Sequence, residues 1–407
     1  MTPILEALVK IAVLIGGMMT AAAYFVLLER RMAAWVQDRH GPNRVGIPLT
    51  KIRLWGLGQP LADGVKFIFK EEQTPAHVNK GLYILAPISI LTAALAIFAV
   101  IPFGSVTPNV PGLDKPVRLI VASGVDVGMI FVFALSSIAV YGVLLGGWAS
   151  NNKYSFLGGL RSSAQLIAYE LPMGLGLLGV TLAAGSLDLE KIIGQQASSG
   201  VWYAFAQPLG FIVFVIAAFA EAARLPFDLP ECEQELIGGY HTEYSGIKLL
   251  LFLVAEFLHM ITASFLIVIL FLGGWHLWGV TGSTDEVSWL GAILRVVVFS
   301  AKIFGVILFF MITRWSWPRF RFDQLMALGW KIMLPLGLVN FVVVAILNEV
   351  RVTYDPRFAS TTWDLLLIVP AWATCIAAWL VVAQSGTLVT DNSPRNTLQH
   401  LDVDSQI

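Results

Sequence analysis

Apolar runs of about 20 residues, the length at which a helix matches the hydrocarbon thickness of a bilayer, recur along the whole chain. They cover about 4–28, 82–102, 126–148, 164–184, 204–223, 247–272, 291–313, 331–348 and 362–384. A helix pairs all its own backbone groups, so repeated runs of this length predict an all-α, polytopic membrane protein. The composition agrees: of 407 residues, 57% are hydrophobic and 13% charged, where a soluble domain carries about 25% charged. Mean hydropathy is +0.75. A net charge of -1 offers no concentrated basic surface, which argues against nucleic acid as a partner. Cys232 and Cys375 are the only two cysteines, too far apart for a metal motif, so no zinc site, iron-sulfur cluster or disulfide framework is expected from this chain alone. The first run outruns a signal-peptide core and is followed by Glu29, Arg30 and Arg31, so it reads as a retained span.

Orientation follows from the basic residues. The odd-numbered connections and the C-terminal tail hold 18 Lys and Arg, the opposite side seven, and Lys302 lies within the seventh run. The positive-inside rule therefore places the N-terminus outside and the tail in the cytoplasm. Within the first connection, Asp63, Lys66 and Lys70 alternate with Leu57, Leu61, Val65, Ile68 and Phe69, the pattern of an amphipathic helix lying in the cytoplasmic interface. No internal repeat is visible, which weighs against an inverted-repeat transporter. Three units result: a main membrane domain over 1–350, an additional helix within 351–384, and a polar cytoplasmic tail over 385–407.

The informative residues are ionisable groups inside or beside apolar runs: Glu170, Glu221, Glu256, His259 and Lys302. Each would cost about 2.5–3.5 kcal/mol facing lipid at mid-span, so each faces protein or a polar cavity, and an ion or proton path is the functional reading. Glu256 and His259 are three apart and share a helix face; a polar pair that only joins helices is the alternative. The connection from Glu221 to Glu243 is acidic: Asp228, Glu231, Glu233 and Glu235 lie in it against the single Arg224. A solvated loop is one reading. Its many apolar residues, among them Leu225, Phe227, Leu236 and Tyr240, favour a segment that lines a cavity. Gly174, Gly176 and Gly179 spell G-x-G-x-x-G inside a span, without the strand and turn a dinucleotide site needs; close helix packing accounts for them better. His40, His77, His241 and His276 show no metal-ligand spacing, and no nucleophile stands beside a base. The chain does not read as a catalyst on its own.

Five segments carry a resemblance: ERRMAAWVQDRHGPNRVG from Glu29, GQPLADGVKFIFKEE from Gly58, RSSAQLIAYELP from Arg161, EAARLPFDLPECEQELIGGYHTEYSGIK from Glu221, and RWSWPRFRFDQLMALGWKIMLP from Arg314. In this order, over roughly residues 1–350, the chain resembles the membrane subunit 1 (type H) of respiratory complex I, the proton-translocating NADH:quinone oxidoreductase. The resemblance implies eight family-type transmembrane helices; the run at 362–384, a ninth, departs from that pattern, and with the long polar tail it favours a bacterial inner membrane over the compact organellar form. It implies a quinone chamber lined or braced by Glu29, Arg30, Arg39, Asp63, Lys66, Arg224, Arg314 and Arg319. It also implies a path of buried carboxyls through Glu170, Glu221, Glu231, Glu233, Glu235 and Glu256, with Asp228 and Glu243 close by; His259 and Lys302 join it from the reading of the spans. On the same resemblance, quinone is the substrate. NADH, FMN and the iron-sulfur clusters belong to partner subunits, and peripheral-arm, antiporter-like and small membrane subunits are the neighbours. A related redox complex of the membrane-bound hydrogenase type, and a free-standing ion transporter, are the alternatives.

Overall fold

The computed structural model describes residues 3–46, 55–108, 116–228, 237–278, 280–281, 288–354 and 361–385. Within them the chain is helical: α1 (Pro3–Val36), α2 (Gln59–Phe69), α3 (Lys80–Ile97), α4 (Gly128–Ala149), α5 (Lys153–Ala184), α6 (Leu189–Ser199), α7 (Tyr203–Ala206), α8 (Pro208–Glu221), α9 (Gly246–Phe271), α10 (Trp289–Ser316), α11 (Phe322–Ala327), α12 (Leu334–Tyr354) and α13 (Thr361–Ser385). A 3-10 turn, Gly239–His241, precedes α9, and a π-helical turn, Leu328–Met333, joins α11 to α12. Seven helices among the described residues are long and apolar enough to cross a membrane, and two shorter apolar helices, Pro208–Glu221 and Ile368–Gln384, accompany them. This is a polytopic membrane protein.

Each of the nine apolar runs becomes a helix, but the fifth is interrupted. Gln207 leaves helical geometry between α7 and α8 (φ -135°, ψ 63°), and Pro208 behind it has no N–H to continue the ladder. The remaining α8, 14 residues or about 21 Å at 1.5 Å per residue, is too short to cross the hydrocarbon alone. It ends inside the bundle at Glu221. The amphipathic segment forms α2, with Leu61, Val65, Ile68 and Phe69 all exposed.

α9 is the centre of the bundle. From Phe257 to Phe271 every residue except His259 is buried. The outer helices instead expose Val13, Ile130, Ile138, Leu290 and Ile346, apolar surface that suits lipid and not water. Small residues let the inner helices approach. A Cβ on Gly147 would lie 2.6 Å from the Ser155 carbonyl oxygen, and one on Gly176 3.2 Å from that of Gly210. Gly176 and Gly179 thus serve contact with neighbouring helices, whereas Gly174 faces open space.

The helices share a basic end, where α1 finishes, α2 lies and α9 begins. Lys248 there pairs with Glu72 at 3.4 Å, and Tyr83 of α3 stacks on Tyr244 with centroids 4.1 Å apart.

Candidate functional site

Three carboxyl groups converge in one cavity. α5 brings Glu170, the last residue of α8 is Glu221, and α9 brings Glu256, about 15 Å along its axis from Gly246. Ser136, Ser162, Tyr240 and His259 complete the cavity's polar lining. Ser136, Glu221 and His259 also line a second, smaller cavity that continues past Thr262 and Leu266 between α3, α4 and α9. His259 is therefore common to both.

Each carboxyl accepts a bond from a hydroxyl. Ser136 of α4 donates to Glu221, its neighbour Ser137 donates to Glu170, and the Tyr240 hydroxyl donates to Glu256 Oε1 at 2.8 Å. A hydroxyl both donates and accepts, so it serves a carboxylate and a carboxylic acid equally well. Chemically, such an arrangement can hold a proton on any of the three carboxyls and pass it on. Ser136, Ser137 and Tyr240 escape a sequence search for charged groups; the only signal is that two adjacent hydroxyls lie in an apolar run.

Towards the basic end lies a second polar region, built on opposite charges. Glu29 of α1, 7% exposed, meets Arg224, 8% exposed, at 3.1 Å, and meets Arg314 of α10 on its other oxygen. The Arg224 guanidinium lies over the Phe257 ring at 4.3 Å, one residue beyond Glu256. Arg319 reaches Asp228 at 3.4 Å. Burial pushes the Asp228 carboxyl up to about 6, with Arg319 opposing the rise and the nearby Glu256 charge adding to it. Such a group exchanges protons close to neutral pH. Nearer the surface, Arg30 bonds Asp63 at 2.7 Å, tying α1 to α2, and Gln59 Nε2 donates to the other Asp63 oxygen at 3.1 Å.

The remaining expected residues are placed elsewhere. Arg39 is exposed and bonds the side chain of Gln37 at 2.8 Å, and Lys66 is exposed over the adjoining Phe67 ring at 5.3 Å. Glu243 accepts from Asn152 Nδ2 at 2.5 Å, at the start of α5 and away from the cavity. Lys302 of α10 donates to the carbonyls of Leu272 (2.6 Å), Gly274 (3.0 Å) and His276 (2.6 Å) with its ammonium over the Trp202 ring. It caps the far end of α9, about 20 Å along that helix from His259. Glu231, Glu233 and Glu235 lie outside the described residues.

Known proteins share most of this chain. The family model described as NADH dehydrogenase matches residues 9–345. A type-H subunit of NADH-quinone oxidoreductase from Geobacter metallireducens is 47% identical over 336 residues, 83% of this chain and 94% of that protein. The type-H subunit of the same enzyme from Flavobacterium psychrophilum is 43% identical over 345 residues, 84% of this chain and 97% of that protein. Its subunit 8 from Rhodothermus marinus is 43% identical over 341 residues, with 82% and 94% covered. The family match ends within α12, before α13.

Proposed function

Because this chain belongs to the NADH dehydrogenase family, as a type-H membrane subunit of bacterial NADH-quinone oxidoreductase, we propose that it provides the quinone chamber and the first stretch of the proton path of that complex. The observation that carries the proposal is the cavity in which Glu170, Glu221 and Glu256 face one another, next to the ion-pair region of Glu29, Arg224 and Arg314.

Quinone reduction takes two electrons and two protons to the quinol, and the electrons come from clusters in partner subunits that also hold NADH and FMN. This chain's part is to receive the quinone and respond to its change of charge. The apolar surface of α2 and the Arg30–Asp63 pair border the chamber's mouth, facing the cytoplasm, with the N-terminus on the outer side of the inner membrane. Arg224, Arg314 and Arg319 present fixed positive charge deeper in. When the quinone takes up protons, the field at Asp228 changes. Asp228, poised near neutrality, changes its proton occupancy, and the charge beside Glu256 changes with it. Tyr240, Glu256, Glu221 and Glu170 then shift protons along the cavity towards the antiporter-like neighbours. Glu231, Glu233, Glu235 and Glu243 belong to the same path, and His259 links the two cavities. Lys302 contributes by holding α9 at its far end.

Glu221→Gln and Glu256→Gln test the path. Both variants keep the side-chain length and an acceptor for the hydroxyl partner, so each should assemble. Inhibitor-sensitive NADH:quinone turnover and proton uptake in membrane vesicles are expected to fall at least tenfold together. Normal coupled activity in both variants would remove these residues from the path.

A further inference from the structure

One amide ties together the two ends of the turn on which the cavity and the ion-pair region meet. Gln165 stands on α5 and is 0% exposed. Its Nε2 donates to the carbonyl oxygen of Ala220 at 2.9 Å and to that of Phe227 at 2.8 Å. The residues that follow those two in the chain are Glu221, which lines the cavity, and Asp228, which pairs with Arg319. Both amide protons are spent on this turn, while Oε1 is buried with no partner.

The turn needs holding. α8 is stopped neither by glycine nor by proline: Ala223 takes a left-handed conformation at φ 47°, which an L-residue keeps only where its surroundings over-determine it. Other contacts grip its far half. Phe227 stacks on Phe320 at 5.6 Å and leans on Tyr169 at 5.7 Å, and the Phe320 N–H donates to the Pro226 carbonyl at 3.3 Å. Gln165 joins this gripped half to the residue that precedes Glu221. In a bundle surrounded by lipid, carbonyls released from it find no water to replace the bond.

We propose that Gln165 is a positioning residue of the coupling machinery: it holds Glu221 and Asp228 in one register, so that a change of charge at the basic end is felt in the carboxyl cavity. The inference rests on the proton-path reading of Glu221 and Glu256, and Gln165 itself touches no reacting group.

Two substitutions test it in the whole complex, reconstituted in liposomes. Gln165→Glu keeps the length but offers at most one proton to two carbonyls. Gln165→Asn keeps the amide but is one methylene short of spanning both. Per assembled complex, each is expected to oxidise NADH with a hydrophilic artificial acceptor at the wild-type rate. Quinone-reductase kcat should drop at least tenfold with KM for quinone within twofold, and fewer protons should move per electron. Wild-type kcat and proton ratio in both variants overturn the proposal. So does a raised KM with unchanged kcat, which would make Gln165 part of the chamber. Failure of one variant to assemble leaves the other to decide; failure of both overturns the proposal, since Gln165 would then serve folding alone. Glu221→Gln and Glu256→Gln are measured alongside. If those two couple normally, the proton-path reading fails whatever Gln165 does; if they are uncoupled while the Gln165 variants are normal, only the role of Gln165 falls.

Discussion

Glu29 and Glu221 are the same residue type, both enclosed by helices, and their surroundings give them opposite capabilities. Glu29 is bonded by two guanidiniums, partners that can only donate and stay charged at any physiological pH. Glu221 is bonded by a serine hydroxyl in a cavity it shares with two further carboxyls. A guanidinium bond fixes a charge in place, whereas a hydroxyl tolerates the arrival and departure of a proton. The ion-pair region is thus built to stay as it is, and the cavity to change. A coupling subunit needs both, one to define the field and one to respond to it.

The largest effect is expected at Glu29. Glu29→Gln removes the carboxylate shared by the buried Arg224 and the part-exposed Arg314, and losing one partner of a buried pair costs about 3–5 kcal/mol. The expected outcome is little or no assembled complex on native gels, in contrast to Glu221→Gln, which should assemble in normal amount. Equal assembly of the two would erase the distinction between fixed and exchangeable carboxyls.

That distinction is not legible in the sequence, although the candidates are. Apolar runs locate the helices because lipid imposes length and hydropathy directly, and ionisable residues in such runs are conspicuous. Hence Glu170, Glu221, Glu256 and His259 stand out together from the sequence, and they do line one cavity. Which partner each group finds depends on helices far apart in the chain. Glu243 goes to Asn152 and Lys302 to the end of α9, choices that no spacing encodes. Neutral partners are harder still: Ser136, Ser137, Tyr240 and Gln165 carry no charge to draw attention in an apolar run. The break at Gln207 is hidden for a related reason, because hydropathy runs unbroken through Pro208. α6 is missed because its polar face brings it below any hydropathy threshold; Asp188, whose side chain accepts from the Glu190 N–H at 3.0 Å, is the signal that could have marked its start.

Lys302 sharpens the contrast from the side of fixed charge. Its three bonds satisfy carbonyls at the C-terminal end of α9, where a positive charge also complements the helix dipole. Lys302→Met removes the donors and leaves those carbonyls unpaired, at a cost of about 1.5–3 kcal/mol by the scale of hydrogen bonds to charged groups. The thermal midpoint of the complex should fall, with the proton-to-electron ratio of the surviving complex unchanged. A changed ratio at unchanged stability would instead make Lys302 part of the responsive set.

Asp228 belongs to both regions and gives the finest test. It bonds Arg319 like a fixed charge, yet its second oxygen is buried without a partner and burial carries its carboxyl up to about 6. The sign of the pH effect follows from that rise. A carboxyl titrating higher when folded than when unfolded, where it lies near 3.9, adds stability that is full below the unfolded value. This stability is lost as pH climbs through the folded value. Between roughly pH 4 and pH 6, wild-type complex should therefore lose up to about 3 kcal/mol from this one group, a ceiling that exchange with solvent and relaxation lower. Asp228→Asn carries no titrating carboxyl, so the difference in thermal midpoint between variant and wild type should grow in favour of the variant over that interval. A difference constant from pH 5 to pH 7 would mean that Asp228 stays ionised throughout, held by Arg319 as Glu29 is held by its arginines. The responsive region would then begin one residue set further in, at Tyr240 and Glu256.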